Sequence, residues 1–329
     1  MEHKTRCYCW LCPIYSFECN TGIVDIYEGI EIRKITKEFA TYLETQESDW
    51  FWTNPSESKF MFVFGGTTPG SNQENPITEK WHRSDLLVGM TTALRLCHSG
   101  MMSPGPLILA ELQENRFIPQ SPSKTKPGKF PPGTEIGPTL SSVSTGGAGP
   151  FDRPIYYLNE TDVADIRRMF VDIMERRGRR DLDNLEIALR RFNAAYRGDI
   201  EDRLIDHMIA LESLYLGKDQ ELNYRLALRA AYLLGTDKNG RKTIFNEIRE
   251  AYRLRSDLVH GNRQVAEAEI EGIVDGTQEY VRKSICRILM LLKRGYTMKE
   301  LRQGNERETA KLEENILSNG DLLAEAECK

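Results

Sequence analysis

The stretch RKTIFNEIREAYRLRSDLVHGN, residues 241–262, decides the reading of the chain. Ile244, Phe245, Ile248, Ala251, Tyr252, Leu258 and Val259 recur at intervals of three and four, the period of an amphipathic helix. The pattern predicts a helix over 241–260, stopped by Gly261 and Asn262. Arg255 breaks the apolar stripe from within, with Ala251, Tyr252, Leu258 and Val259 one turn away on either side. An unpaired buried charge is costly, so this guanidinium must face a carboxylate, a partner chain or a ligand phosphate. His260 follows five residues on, about 140° around the helix and roughly 7.5 Å along it. Arg255 and His260 of one copy therefore need not touch, and the same pair from a second copy offers a place to converge.

Outward from this stretch, helices are predicted at about 161–177, 182–197, 200–216, 220–234 and 265–293. Gly178, Gly198, Gly217, Gly235 and Gly261 stand at helix ends, each where a left-handed terminator would sit. The short connections favour antiparallel neighbours in an up-and-down bundle. Glu212 repeats the anomaly of Arg255, a carboxylate among Met208, Ile209, Tyr215 and Leu216. Arg229, among Leu226, Tyr232 and Leu233, is one candidate partner for it and Arg255 is the other. The plainer reading of Glu212 and Arg229 is a buried salt bridge that fixes helix register.

The N-terminal part reads differently. YSFEC, GIVDIYEGIEIRKI and KFMFVFG, between Tyr15 and Gly65, are strand-like runs broken by glycine. A helical piece, TKEFATYLET, interrupts them with Thr36 placed to cap it, and a second helix is expected from about Ser84 to His98. Residues 119–154 are dense in proline, glycine, serine and threonine and read as a linker or long loop. The fold class is thus α+β: an N-terminal α+β domain over 1–118, the linker over 119–154, a helical domain over 155–295 and a charged tail over 296–329.

The composition bounds the function. With 329 residues, 40% hydrophobic and 28% charged, the chain is that of an ordinary soluble protein. It lacks an apolar run of membrane-spanning length, and MEHKTRCYCWLC lacks the apolar segment and cleavage site of a signal peptide, so no membrane partner and a cytoplasmic location are expected. A formal charge of −5 argues against broad affinity for nucleic acid but leaves room for a small basic site. Arg249, Arg253 and Arg255 lie near the end of the 241–260 helix, whereas the run Arg176, Arg177, Arg179 and Arg180 reads as a solvated helix face. Cys7, Cys9, Cys12 and Cys19 crowd the start. A thiolate quartet can hold zinc, but the spacing is not that of paired C-x2-C motifs, and cysteine is also a common buried small hydrophobe. The five histidines, His3, His82, His98, His207 and His260, are scattered, and His207 reads as a core-edge residue.

Arg255-Ser256-Asp257-Leu258-Val259-His260 resembles the Arg-x4-His signature of the HEPN superfamily. With RLIDHMIALESLYLG at 203–217, ELNYRLALRAAYLLG at 221–235 and AYRLRSDLVHG at 251–261, the chain is similar to the Apea-like HEPN branch. The resemblance implies a HEPN helical bundle that acts as a metal-independent endoribonuclease, needs no cofactor, works as a homodimer through its helices and serves in antiphage defence. Arg255 and His260 would be catalytic, with Ser256, Asp257, Glu212 and Arg229 in support; Ser256 stands where the family often has asparagine or aspartate. Taken only as a residue, His260 reads as a structural partner of the helix C-terminus. The alternative is a non-catalytic HEPN module that binds RNA, nucleotide or a partner protein.

Overall fold

The computed structural model describes residues 7–37, 40, 58–65, 81–100, 102–105, 107–113, 116–119, 134–135, 155–217, 221–261, 267–303 and 310–317. It is mixed α+β, with an antiparallel sheet towards the N-terminus and helices after it. The described residues divide into two units, the first ending at Met174 and the second beginning at Glu175.

The first unit opens with strands β1 (Cys7–Tyr15), β2 (Phe17–Cys19), β3 (Ile23–Tyr27), β4 (Ile30–Lys34) and β5 (Phe60–Phe64). Helix α1 (Arg83–Cys97) precedes the short β6 (Ser103–Pro104), then β7 (Leu107–Gln113), β8 (Arg116–Pro119) and β9 (Thr134–Glu135). Strand β10 (Tyr156–Leu158) and helix α2 (Val163–Arg176) close it. The main sheet runs β3-β4-β5-β1-β7-β8, with β6 on β1 and β9 on β7, and every pairing in it is antiparallel. Strand β10 lies parallel to β2 in a separate pair.

The central strand is the one the sequence pattern leaves unpredicted. Successive strand side chains point to opposite faces, and in β1 the neighbours Leu11 and Cys12 are both fully buried. A strand covered on both faces reads as a continuous apolar run and shows no alternation. Strands β3, β4 and β5 fall on expected strand-like runs, and α1 on the expected 84–98 helix. The helix expected at 36–45 lies almost wholly outside the described residues. So do the 119–154 stretch, apart from Pro119, Thr134 and Glu135, and Asn262.

The break between units falls later than the expected start of the helical domain at residue 155, because β10 and most of α2 pack on the first unit. Arg167 donates from Nε to the Ile26 carbonyl at 2.7 Å, and the Phe170 ring packs against Tyr27 at 5.6 Å and Trp81 at 6.0 Å. Gly89 of α1 leaves space for Met174, whose Sδ would lie 2.4 Å from a Cβ at that position. A side chain at Gly89 would oblige the Met174 side chain to move aside.

The second unit is a helical bundle: α3 (Asp183–Ala194), α4 (Ile200–Tyr215), α5 (Leu222–Leu234), α6 (Lys238–His260), α7 (Glu267–Lys293), α8 (Met298–Arg302) and α9 (Lys311–Leu317). Helix α3 packs on α4 and α5 on α6, as short connections predict, while α4 packs on α7, a pair not adjacent in the chain. The expected left-handed terminators are realised only in part. Gly178 and Gly261 take positive φ, but Gly235 is extended, at φ −85°. Its lack of a side chain serves close approach instead, since a Cβ there would lie 2.8 Å from the Ala231 carbonyl. Part of the charged 296–329 segment folds back onto the bundle, with Arg302 donating to the Leu216 carbonyl. Among the described residues, no helix is long and apolar enough to cross a membrane.

Candidate functional site

Helix α6 carries the signature, and its sequence explains both its ends. Asp237 caps the start, its Oδ1 accepting from the backbone N–H of Asn239 at 2.8 Å and Gly240 at 2.9 Å. Gly261 ends it in the left-handed conformation, at φ 64° and ψ 23°. Ile244, Ile248, Ala251 and Leu254 form the buried side. The apolar stripe expected through Leu258 and Val259 stops short of them: Leu258 is half-buried and Val259 is 52% exposed. Val259 in the last turn therefore faces outward.

Arg255 lies at the margin of that buried side, half-buried, and its Nε is buried without a hydrogen-bond partner among the described residues. Across it, on α4, stands Glu212, also half-buried. Burial pushes the Glu212 carboxyl above the ordinary carboxylate range, and the Arg255 guanidinium pulls it partly back. The two charges feel each other without a direct ion pair. Tyr252, one turn before Arg255, belongs to the same group; burial first, and then the Glu212 charge, push its phenol above the usual value. Tyr252 drew no attention in the sequence because an aromatic at helical spacing reads as core.

His260 is exposed on the last turn, on a different side of the helix from Arg255. Within one copy the two diverge, as five residues of helix require. Asp257 accepts from Arg253 Nη1 at 3.2 Å, and Ser256 is half-buried between them. The site as built is an inward arginine opposed by a carboxylate and an outward imidazole on the same helix end.

Arg229 belongs elsewhere. It is 2% exposed and donates to the Tyr215 carbonyl at 2.5 Å and to Glu313 of α9 at 2.8 Å. Arg225 reaches the same Glu313 carboxylate at 2.5 Å. Of the two partners considered for Glu212, Arg255 is the one whose charge acts on it, while the partner of Arg229 is Glu313. Glu313 was missed because it sits in a charged run that reads as solvated tail, almost ninety positions from its partners.

The remaining candidates are placed plainly. Cys12 is fully buried, its thiol 3.1 Å from the Gly105 carbonyl; Cys9 is buried with its pKa pushed up to about 12; Cys19 lies 3.3 Å from the Thr21 hydroxyl. The side chain of Cys7 is outside the described set. Among the described residues, no three of the His, Cys, Asp and Glu side chains gather as a metal site. His207 is fully buried, deeper than the core edge expected for it. Arg177, Arg179 and Arg180 are exposed, and Arg179 pairs with Asp181 at 2.7 Å.

Comparison with protein-family models, with curated proteins and with solved structures found no match in any of the three.

Proposed function

We propose that the chain is a metal-independent endoribonuclease of the Apea-like HEPN kind, cytoplasmic and dimeric, in which Arg255 and His260 carry the chemistry. RNA brings its own nucleophile, the 2′-hydroxyl. The protein needs a base for that proton, an acid for the departing 5′ oxygen and a cation for the phosphorane. Imidazole titrates near neutrality and serves as either acid or base. Guanidinium forks onto phosphate oxygens and keeps its charge. Two copies brought together at the α6 ends supply two of each, so dimerisation belongs to the mechanism.

The observation that supports this reading best is the exposure of His260 on the helix end whose Arg255 guanidinium makes no hydrogen bond or ion pair among the described residues. Glu212 acts here as a positioning residue: its charge orients the Arg255 fork without occupying it. Ser256 and Asp257 support from the same turn, Asp257 by holding Arg253. Arg229, bonded to Glu313 and Tyr215, has a structural part in this reading. A role in antiphage defence follows from the family resemblance alone.

The test is incubation of the purified protein with a mixed RNA pool in EDTA, beside His260→Ala. Cleavage by the parent alone, leaving 2′,3′-cyclic phosphate ends, is the expected result. Equal cleavage by both would overturn the assignment of His260, and RNA retained uncut by a stable dimer would favour a non-catalytic binding module.

A further inference from the structure

The segment that the sequence presents as a charged tail reaches back to the helix that carries Glu212. Beyond α7, Gly295 takes a left-handed φ of 94° and turns the chain. Thr297 and Glu300 then close a capping box at the start of α8, the Thr297 N–H donating to Glu300 Oε2 at 2.8 Å and the Glu300 N–H to Thr297 Oγ1 at 3.2 Å. Met298 and Leu301 are buried, and Arg302 is 7% exposed. Helix α8, anchored in this way, brings Arg302 to the C-terminal end of α4, where the guanidinium donates to the Leu216 carbonyl. Gln303 presses on the next residue, since a Cβ at Gly217 would lie 2.6 Å from its Cγ.

A helix leaves its last carbonyls without partners of its own, and where that end is buried they need donors from elsewhere. Tyr215 and Leu216 are both buried. Tyr215 is held twice, its carbonyl by Arg229 at 2.5 Å and its hydroxyl by Ser284 of α7 at 2.7 Å. The Leu216 carbonyl takes its proton from Arg302, and the Leu216 N–H donates to the Glu212 carbonyl at 2.9 Å. That second bond closes the last turn of α4 on the residue whose charge acts on Arg255. With Arg302 gone, the buried Leu216 carbonyl regains a donor only by opening to water, which breaks the turn and frees Glu212. We propose that Arg302 is a positioning residue for the candidate site: it locks the last turn of α4, the turn fixes Glu212, and Glu212 orients Arg255. For catalysis this rests on the endoribonuclease reading, whereas the lock on Glu212 stands on the geometry of the bundle.

The test compares the full chain carrying Arg302→Met, which keeps an apolar stem but no donor, with Arg302→Lys, which keeps a donor. Thermal unfolding checks that each is folded, and Thr297→Ala, which only loosens the α8 cap, serves where Arg302→Met is unstable. Carboxyl-carbon NMR of Glu212, assigned by the signal lost in Glu212→Gln, reads the lock without RNA. Burial holds this carboxyl above the ordinary range in the parent. Its midpoint should fall towards the ordinary value in Arg302→Met, fall by less in Thr297→Ala and keep the parent's value in Arg302→Lys. On RNA, Arg302→Met should lower kcat roughly ten- to a hundredfold with KM little changed, and Arg302→Lys should restore most of it. In a Glu212→Gln background Arg302→Met should add no further loss, because the two act along one path. An unmoved Glu212 midpoint in the folded variants, or losses that multiply in the double variant, would overturn the positioning role. A shifted midpoint in a protein that never cuts RNA would keep the lock and sink the nuclease; cutting by a protein whose midpoint ignores Arg302 would do the reverse.

Discussion

Arg229 and Arg255 pose the same puzzle in the sequence, a cation set among apolar neighbours of a helix, and the fold answers it in opposite ways. Arg229 is sealed at 2% exposure, with Glu313 and the Tyr215 carbonyl taking its protons. Arg255 stays half-buried, feels the Glu212 charge without bonding it, and makes no side-chain hydrogen bond or ion pair among the described residues. A satisfied buried arginine holds helices together. Arg255, which bonds no other helix among the described residues, does not hold the bundle in that way, and under the proposed function its guanidinium is the one that meets an external phosphate.

The sharpest break in this comparison is chemical. His260→Ala and Arg255→Ala should each lower RNA cleavage by about 10²- to 10⁴-fold, whereas Arg229→Met combined with Glu313→Leu should leave cleavage within a few-fold of the parent. Gel assay of a labelled RNA reads both, and equal losses in the two sets would erase the distinction between the arginines.

Stability should invert the order. Glu313→Ala strands Arg229 as a buried charge and should cost roughly 3 kcal/mol, seen as a fall in unfolding temperature of about 6–12 °C. Arg255→Ala should cost nearer 1 kcal/mol, because it loses apolar contact and an electrostatic neighbour but breaks no hydrogen bond of its Nε. His260→Ala should shift the midpoint by no more than about 0.5 kcal/mol, as for an exposed residue. If Arg255→Ala proved the more damaging of the first two, Arg255 would be the structural arginine.

The smallest effect is on pH. Burial raises the Glu212 carboxyl, so the folded state holds that proton more tightly than the unfolded chain. Its contribution to stability is present below the ordinary carboxylate value of about 4.5 and is lost as pH rises through the raised folded value. Glu212→Gln removes this loss, so the variant should gain on the parent by about 1–2 °C between pH 4.5 and neutrality, after screening by solvent. Thermal scans across that window check the sign; a variant that loses ground as pH rises would show that Arg255 outweighs burial at this carboxyl.

Much of this was legible beforehand, for local reasons. The helices of the second unit, Asp237 before α6 and Gly261 after it follow from apolar period, capping and backbone freedom, which are properties of a few consecutive residues. Strand β1 was hidden because burial on both faces erases alternation. The allegiance of α2 was hidden because a helix's stripe shows that it packs but not on what.

The sequence by itself determined that this chain is α+β, where its bundle helices run, and that Glu212, Arg229 and Arg255 are charges in apolar company. Only the tertiary structure decided which charge meets which. Pairing across the bundle depends on helix rotation and on distant segments, such as the returning Glu313, that local pattern does not encode. It also decided that His260 stands in the open, since exposure is set by what packs alongside a helix end and not by the residues within it.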